Sequence, residues 1–309
     1  MGVESYLNIT RKEHVELERE LERIIIFGRK IISFLISSSL FVAAALFSVV
    51  CFSFLSLNIP PHLPLFFASF LVTFSIYNLN KITDKEEDKI NSPDRITFIK
   101  NRDHLLVALS VIAYAIALII GILSGEILAI IVLLIPLWVA ILYSIRIAPG
   151  LPRLKDIFVA KSLAVAISLT SSTALLAYIY FKNPYIILFW VYFLFIKLFI
   201  NTVLFDVRDV SGDKRVGIKT IPAVLGVKKT KNLLLSLNSL LIPWIGISLY
   251  FNLFTSAIPL LIFCIFYGYW YIIHFCNSER NLSFSYDLLV DGEWMILSGM
   301  FIFLHHFVY

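Results

Sequence analysis

A bundle of membrane-spanning α-helices is the fold this sequence predicts, and three observations carry the prediction. Mean hydropathy is +0.87, and 59% of the 309 residues are hydrophobic. Only 15% are charged, fewer than a soluble domain of this size carries. The apolar residues also come in long runs, without the period-two alternation of a membrane β-barrel. A bilayer is the solvent such a chain requires.

The elements follow in order. Residues 10–30, TRKEHVELERELERIIIFGRK, predict a charged helix with a partial apolar stripe of Val15, Leu17, Leu21, Ile24 and Ile25. Such a stripe suits a helix lying on the membrane surface, and the charged first 30 residues do not fit a cleavable signal peptide. Nine apolar runs then predict nine spans, at roughly 31–57, 63–79, 105–123, 127–147, 157–180, 185–205, 233–251, 256–275 and 289–307. Each is near the twenty or so residues that about 30 Å of hydrocarbon demands. The second is short unless its C-terminal end reaches into protein or water.

Lysine and arginine set the orientation. With the N-terminus cytoplasmic, 23 of the 26 fall on the cytoplasmic side, including Arg280. Lys182 alone falls outside, and Lys161 and Lys197 lie within spans. The prediction is an integral protein of the cell membrane with its polar end facing the cytoplasm. Cys51, Cys264 and Cys276 stand singly in apolar surroundings, so neither a disulfide framework nor a cysteine metal site is expected.

Two acidic stretches interrupt this apolar plan. NKITDKEED follows the second span and puts Asn80, Asp84 and Asp88 at four-residue spacing. NTVLFDVRDVSGDKRVGIKTIPAVLG closes the sixth, with Asp206, Asp209 and Asp213 at spacings of three and four. Both spacings stack side chains on one helical face. Lys81–Asp88 aligns without gaps to Asp206–Asp213 at an offset of 125 residues, matching Asp84 to Asp209 and Asp88 to Asp213. The alignment reads as a tandem pair of four-helix units, 31–147 and 157–275, with the helix 289–307 added, all in one transmembrane domain. Duplicated motifs of this kind face each other across a cavity.

Five Asp side chains and an Asn gathered there repel one another unless a counter-charge enters. Their oxygens are hard ligands suited to Mg²⁺, which keeps positions open for phosphate. Two acidic helix ends clamping a Mg²⁺-diphosphate is the economical reading. Arg208, Lys214, Arg215 and Lys219 in one loop, and Arg146, Arg153 and Lys155 in another, are candidates to neutralise phosphate charge. The cytoplasmic bias itself accounts for about half of these cations. A lone DxxxD is more often a solvated helix end; the pair is what carries the reading. Asp287 and Asp291, in SYDLLVDGEW, suit either a helix N-terminal charge or a cap over the site. His305 and His306 are expected at the external interface rather than on a metal.

The chain resembles the UbiA superfamily of intramembrane prenyltransferases. NKITDKEED resembles the family's first motif, NDxxDxxxD, and DVRDVSGDKRVGIKTIPAVLG its second. LYSIRIAPGLPRLKD, after the fourth span, resembles the Tyr-Ser and Pro/Lys cluster of the connecting loop. The resemblance covers essentially the whole chain. It implies nine helices around a central cavity with a cytoplasmic cap, and transfer of an isoprenyl chain from a prenyl diphosphate, such as geranyl to geranylgeranyl diphosphate, to a hydrophobic acceptor. It implies that Asn80, Asp84, Asp88, Asp206, Asp209 and Asp213 hold Mg²⁺, two ions in the family's manner. It implies that Lys155, Arg153, Arg208 and Lys214, with Arg146 and Lys219 nearby, meet the diphosphate, and that Tyr143 lies near the allylic carbon, where its ring would stabilise a developing cation. The cavity is expected to be lined by some of the 27 phenylalanines.

Two departures stand out. Lys81 replaces an Asp of the first motif, and GRKIISFLISSSLFVAA in the first span lacks the Pro or Asn of members acting on aromatic acids. The acceptor therefore stays open: a hydrophobic molecule such as an aromatic quinone precursor or a prenylglyceryl phosphate, with haem and chlorophyllide also within the family's range. A CDP-alcohol phosphotransferase would need DGxxAR, whereas Asp291–Gly292 is followed by EWM. A transporter with acidic ion sites is the other alternative, suited by Lys161 and Lys197, but it predicts acids at the midplane rather than at helix ends.

Overall fold

The computed structural model describes residues 3–85, 88–89, 93–146, 148, 152–277 and 283–307, with side chains over 18–85, 88–89, 96–146, 148, 152–277 and 285–304. Val15, Leu17, Arg280, His305 and His306, singled out above, lie outside the described side chains, as does part of 147–151. Among the described residues every regular element is helical.

The chain opens with α1 (Val3–Ser37) and α2 (Leu40–Ser56), then α3 (Leu63–Thr83), α4 (Pro93–Ile99), α5 (Asp103–Leu123) and α6 (Ile127–Ser144). A single 3₁₀ turn, Leu154–Asp156, leads into α7 (Ala160–Tyr180) and α8 (Pro184–Val216). There follow α9 (Ile221–Leu225), α10 (Val227–Ser239), α11 (Leu241–Tyr250), α12 (Ile258–Asn277) and α13 (Ser283–Tyr286). A π-helical turn, Asp287–Asp291, then joins α14 (Gly292–Phe307).

Seven helical stretches of the described residues are long and apolar enough to cross a membrane: α3, α5, α6, α7, α8, α10 with α11, and α12. α1 and α2 form an eighth as a bent pair. α14, at 16 residues, is shorter than the rest. The outer face of α5 leaves Leu105, Val107, Leu109, Val111 and Ile112 exposed, as a lipid-facing helix does.

The first expected span, 31–57, is not one helix. α1 runs unbroken to Ser37, and the chain bends by 71° before α2 begins. The reason lies in Ser37–Ser38–Ser39. Ser39 takes the left-handed conformation, φ 65°, which ends the ladder, and Ser38 Oγ donates to Leu35 O at 3.2 Å. Lys81 Nζ donates to Ser37 O at 2.6 Å and to Ser39 Oγ at 2.5 Å. Residues 31–37 thus belong to α1, whose Leu21, Ile24, Ile25, Ile26 and Phe27 remain exposed.

α8 positions most of the site. Asn183 caps its start by accepting from the Tyr185 and Ile186 amides, and Gly217, at φ 80°, ends it. Its 33 residues span roughly 50 Å at 1.5 Å per residue, against about 30 Å of hydrocarbon. The helix is therefore long enough for its last turns, with Asp206, Asp209 and Asp213, to extend past the apolar layer. α3 packs against α2 and α5, α7 against α6 and α8, and α14 against α2. Phe52, Trp190, Phe193, Trp244 and Phe254 fill the core in tilted and stacked ring contacts.

Candidate functional site

A cavity of about 280 Å³ opens between these helices at their polar end. Both acidic faces line it. α3 ends at Thr83, yet the Asp84 amide bonds Asn80 O (2.8 Å) and the Asp88 amide bonds Asp84 O (2.9 Å). The four-residue rhythm therefore persists past the helix end, and Asn80, Asp84 and Asp88 all reach the cavity wall. Asp206, Asp209 and Asp213 line the other side from α8.

Three cations stand among them. Lys155, only 1% exposed, donates to Asp84 Oδ1 at 2.7 Å and lies 5.9 Å from the centre of the Tyr143 ring. Lys161 Nζ lies 3.0 Å from Asp206 Oδ1 and 3.0 Å from Asp213 Oδ2, while Ser162 Oγ donates to Asp206 Oδ2 at 2.5 Å. Arg208 Nε and Nη2 grip both oxygens of Asp209, at 2.8 and 3.1 Å. Its Nη1 reaches Asp287 Oδ2 at 3.3 Å, and the guanidinium lies over the Phe205 ring at 4.8 Å. Asp287, with Asp291, enters from the π-helical turn and lines the same cavity.

Five other expected cations stand elsewhere. Arg146, Lys214, Arg215 and Lys219 are exposed, and none lines the cavity. Arg153 points at Asp156, with Nε–Oδ2 3.0 Å and Nη2–Oδ1 2.9 Å, and these bonds hold the Asp156 carboxyl below the usual range. Clustered near a motif in sequence, these residues follow the surface of the loops. The expected phenylalanine lining is also corrected: of the rings at the cavity, Phe205 is the one phenylalanine, beside Tyr77, Tyr143 and Trp294. The apolar wall is mostly aliphatic, with Val42, Leu46, Val49, Val139 and Leu198, because the large rings pack the solid core instead.

Ser162 has no signal in the sequence, Lys161 reads there only as a charge within a span, and Asp287, open between a helix-end charge and a cap, joins the site through Arg208. Lys161 carried a signal, since an ionisable residue inside a span marks a functional position. Placing the start of the fifth span at Ala160 rather than 157 puts it in the first helical turn, level with the acidic faces. Lys81 does not join the metal-ligand oxygens; it holds the α1–α2 bend. Lys197, the second charge that suited transport, is paired inside the bundle with Glu293 at 2.9 Å, both side chains 0% exposed.

The donor set suits a hard divalent ion: six oxygen-bearing side chains on two faces. Among the described residues no three His, Cys, Asp or Glu side chains close on one point as an all-protein cage. An ion carried largely by substrate phosphates needs only one or two carboxylates, and the set offers that many. The residues fit Mg²⁺ bound in that way.

A family model, the UbiA prenyltransferase family, matches residues 39–289. The fold is similar to a UbiA homolog from Archaeoglobus fulgidus bound to GPP and Mg²⁺, with TM-score 0.65, 15% identity and coverage of 87% of this chain and 99% of that one. It is similar to the apo structure of a UbiA homolog from Aeropyrum pernix K1, with TM-score 0.61, 17% identity and coverage of 87% and 98%. A structure of digeranylgeranylglyceryl phosphate synthase is also similar, with TM-score 0.54, 18% identity and coverage of 89% and 98%. No curated protein matches the sequence.

Proposed function

The chain belongs to the UbiA prenyltransferase family, and on that premise we propose that it moves an isoprenyl chain from a prenyl diphosphate to a lipophilic acceptor, with Mg²⁺. The observation that carries this reading is the meeting of two acidic helix ends and three buried cations at the polar end of one aliphatic cavity. Seven carboxylates line the wall against four basic side chains, so a diphosphate is welcome there only with a divalent cation beside it.

Of the six oxygen-bearing side chains expected to hold metal, Asn80, Asp84 and Asp88 are the ones that would hold Mg²⁺ beside the diphosphate; Asp206, Asp209 and Asp213 face it with Lys161, Ser162 and Arg208 already bound to them. Bound Mg²⁺ would act as a Lewis acid that makes diphosphate a better leaving group. The chain does the rest. As the allylic C–O bond breaks, its electron pair leaves with pyrophosphate, and the growing negative charge strengthens the pull of Lys155 and Arg208. Tyr143, within cation–π range of Lys155, presents its ring toward the same end of the cavity, where an allylic cation would form. The aliphatic wall seats the isoprenoid tail and keeps water from the cation. The acceptor then supplies the electron pair for the new bond to the allylic carbon and gives up a proton.

The acceptor is a hydrophobic molecule such as an aromatic quinone precursor or a prenylglyceryl phosphate; the similarity to digeranylgeranylglyceryl phosphate synthase supports testing the second first. The site faces the cytoplasm of the cell membrane, in line with 23 of 26 basic residues on that side. The chain crosses nine times as a tandem of four-helix units, 31–147 and 157–275, plus a ninth helix, 289–307, with a cytoplasmic cap over the site. Detergent-solubilised protein given geranylgeranyl diphosphate and a panel of acceptors should release pyrophosphate only with Mg²⁺ and an accepted partner. Turnover unaffected by chelation would sink the reading.

A further inference from the structure

The second acidic face already holds a cation of its own. Lys161 bridges two carboxylates that lie 5% and 2% exposed, at 3.0 Å each. Ser162 occupies the other oxygen of Asp206, and Arg208 grips both oxygens of Asp209. All three acids of this motif therefore have a built-in donor. The backbone is strained to arrange it. Val159 adopts φ 65° immediately before α7, a conformation that a β-branched residue takes only when its surroundings enforce it. That turn starts the helix where Lys161 and Ser162 meet α8.

We propose that Lys161 stands in place of a metal ion on the second acidic face, so that this enzyme meets its diphosphate with one Mg²⁺ rather than two. The inference rests on the prenyl diphosphate reading above. Mg²⁺ sheds its waters reluctantly and keeps several when protein-bound. A hydrated ion at Asp206 and Asp213 would have to displace an ammonium paired with both carboxylates, which are themselves 5% and 2% exposed. The ammonium supplies a fixed positive charge there without needing dissolved metal, and charge is what the leaving group responds to.

Counting ions tests this directly. The full-length protein is saturated with an unreactive prenyl thiolodiphosphate and titrated with Mn²⁺, followed by the loss of the free-ion electron paramagnetic signal. Wild type should bind one Mn²⁺ per chain. Lys161→Met, which keeps length and removes charge, should bind two, and Lys161→Arg should stay at one. Two ions in wild type would overturn the proposal, whatever the variants do, and so would a single ion in a folded Lys161→Met. If that variant does not fold, Lys161→Gln is counted in its place, and the wild-type number stands as a test by itself. No bound ion in wild type would overturn the metal-diphosphate reading itself, a different result from two.

Discussion

Lys161 and Lys197 are the two lysines the sequence places inside spans, and their surroundings are opposite. Lys197 is 0% exposed and donates to Glu293 Oε1 (2.9 Å), Tyr271 OH (2.7 Å) and Cys264 O (3.0 Å), which uses its three donors. Its charge is matched one to one, and no wall of the cavity reaches it. Even Gly268 contributes by omission, since a Cβ there would lie 2.6 Å from Asn238 Oδ1 and 3.1 Å from Lys197 Nζ. Lys161 instead faces two carboxylates on the wall of a cavity. The contrast separates two uses of a buried charge. A dry, charge-balanced pair holds helices α8, α12 and α14 together; a cation outnumbered by acids at an open wall is set up for a ligand.

The sharpest way to break this comparison is to remove Lys197. Lys197→Met should cost about 3–5 kcal/mol of stability, because Glu293 is left buried and unpaired. Lys197→Met with Glu293→Gln should recover most of it, as read by thermal melting in detergent. A single variant that melts like wild type but is inactive would put Lys197 in the chemistry and dissolve the distinction. Next in size are Asp84→Asn and Asp209→Asn. Each should slow transfer by about a thousandfold, roughly 4 kcal/mol of barrier, with melting nearly unchanged. Normal pyrophosphate release from either would remove the two acidic faces from the mechanism.

Lys155→Ala should lower kcat by about 2–4 kcal/mol in barrier, and Lys155→Arg should restore part of the rate, since charge counts for more there than shape. An effect confined to KM would make Lys155 a docking contact. The smallest effect belongs to Arg153, two residues away. Its half-buried pair with Asp156 faces away from the cavity, so Arg153→Ala should change kcat/KM by less than about 1 kcal/mol. A loss as large as that of Lys155→Ala would show that the loop closes over the substrate with Arg153 inside.

These pairs also show what a sequence can disclose. The acidic faces were legible because i, i+4 spacing is a local property: Asn80, Asp84 and Asp88 share a side whatever the rest of the chain does. The spans were legible as apolar length, although 31–57 concealed the bend, which depends on a left-handed Ser39 and a lysine 42 residues away. The cations were not separable by sequence. Lys214 adjoins the motif that contains Arg208, and only tertiary packing turns one of the two inward. Asp287 meets Arg208 across 79 residues, a distance over which no local pattern runs. Lys197 and Lys161 looked alike for the same reason.

The bend at Ser38–Ser39 has a consequence for how the protein is made. Its carbonyl at Ser37 and its left-handed Ser39 are satisfied by Lys81 and neighbouring Asn78, both on α3. Asn78 Nδ2 also donates to Ser38 O at 3.1 Å. A nascent chain that has delivered α1 and α2 but not yet α3 leaves those groups bare at the edge of the lipid, where each unmet polar group costs several kcal/mol. Lys81, arriving alone, would be equally out of place. Each half of the joint is tolerable only in the company of the other, so α2 and α3 leave the insertion machinery best as a hairpin. The lysine that took an aspartate's position in the motif thereby ties the timing of insertion to the shape of the site.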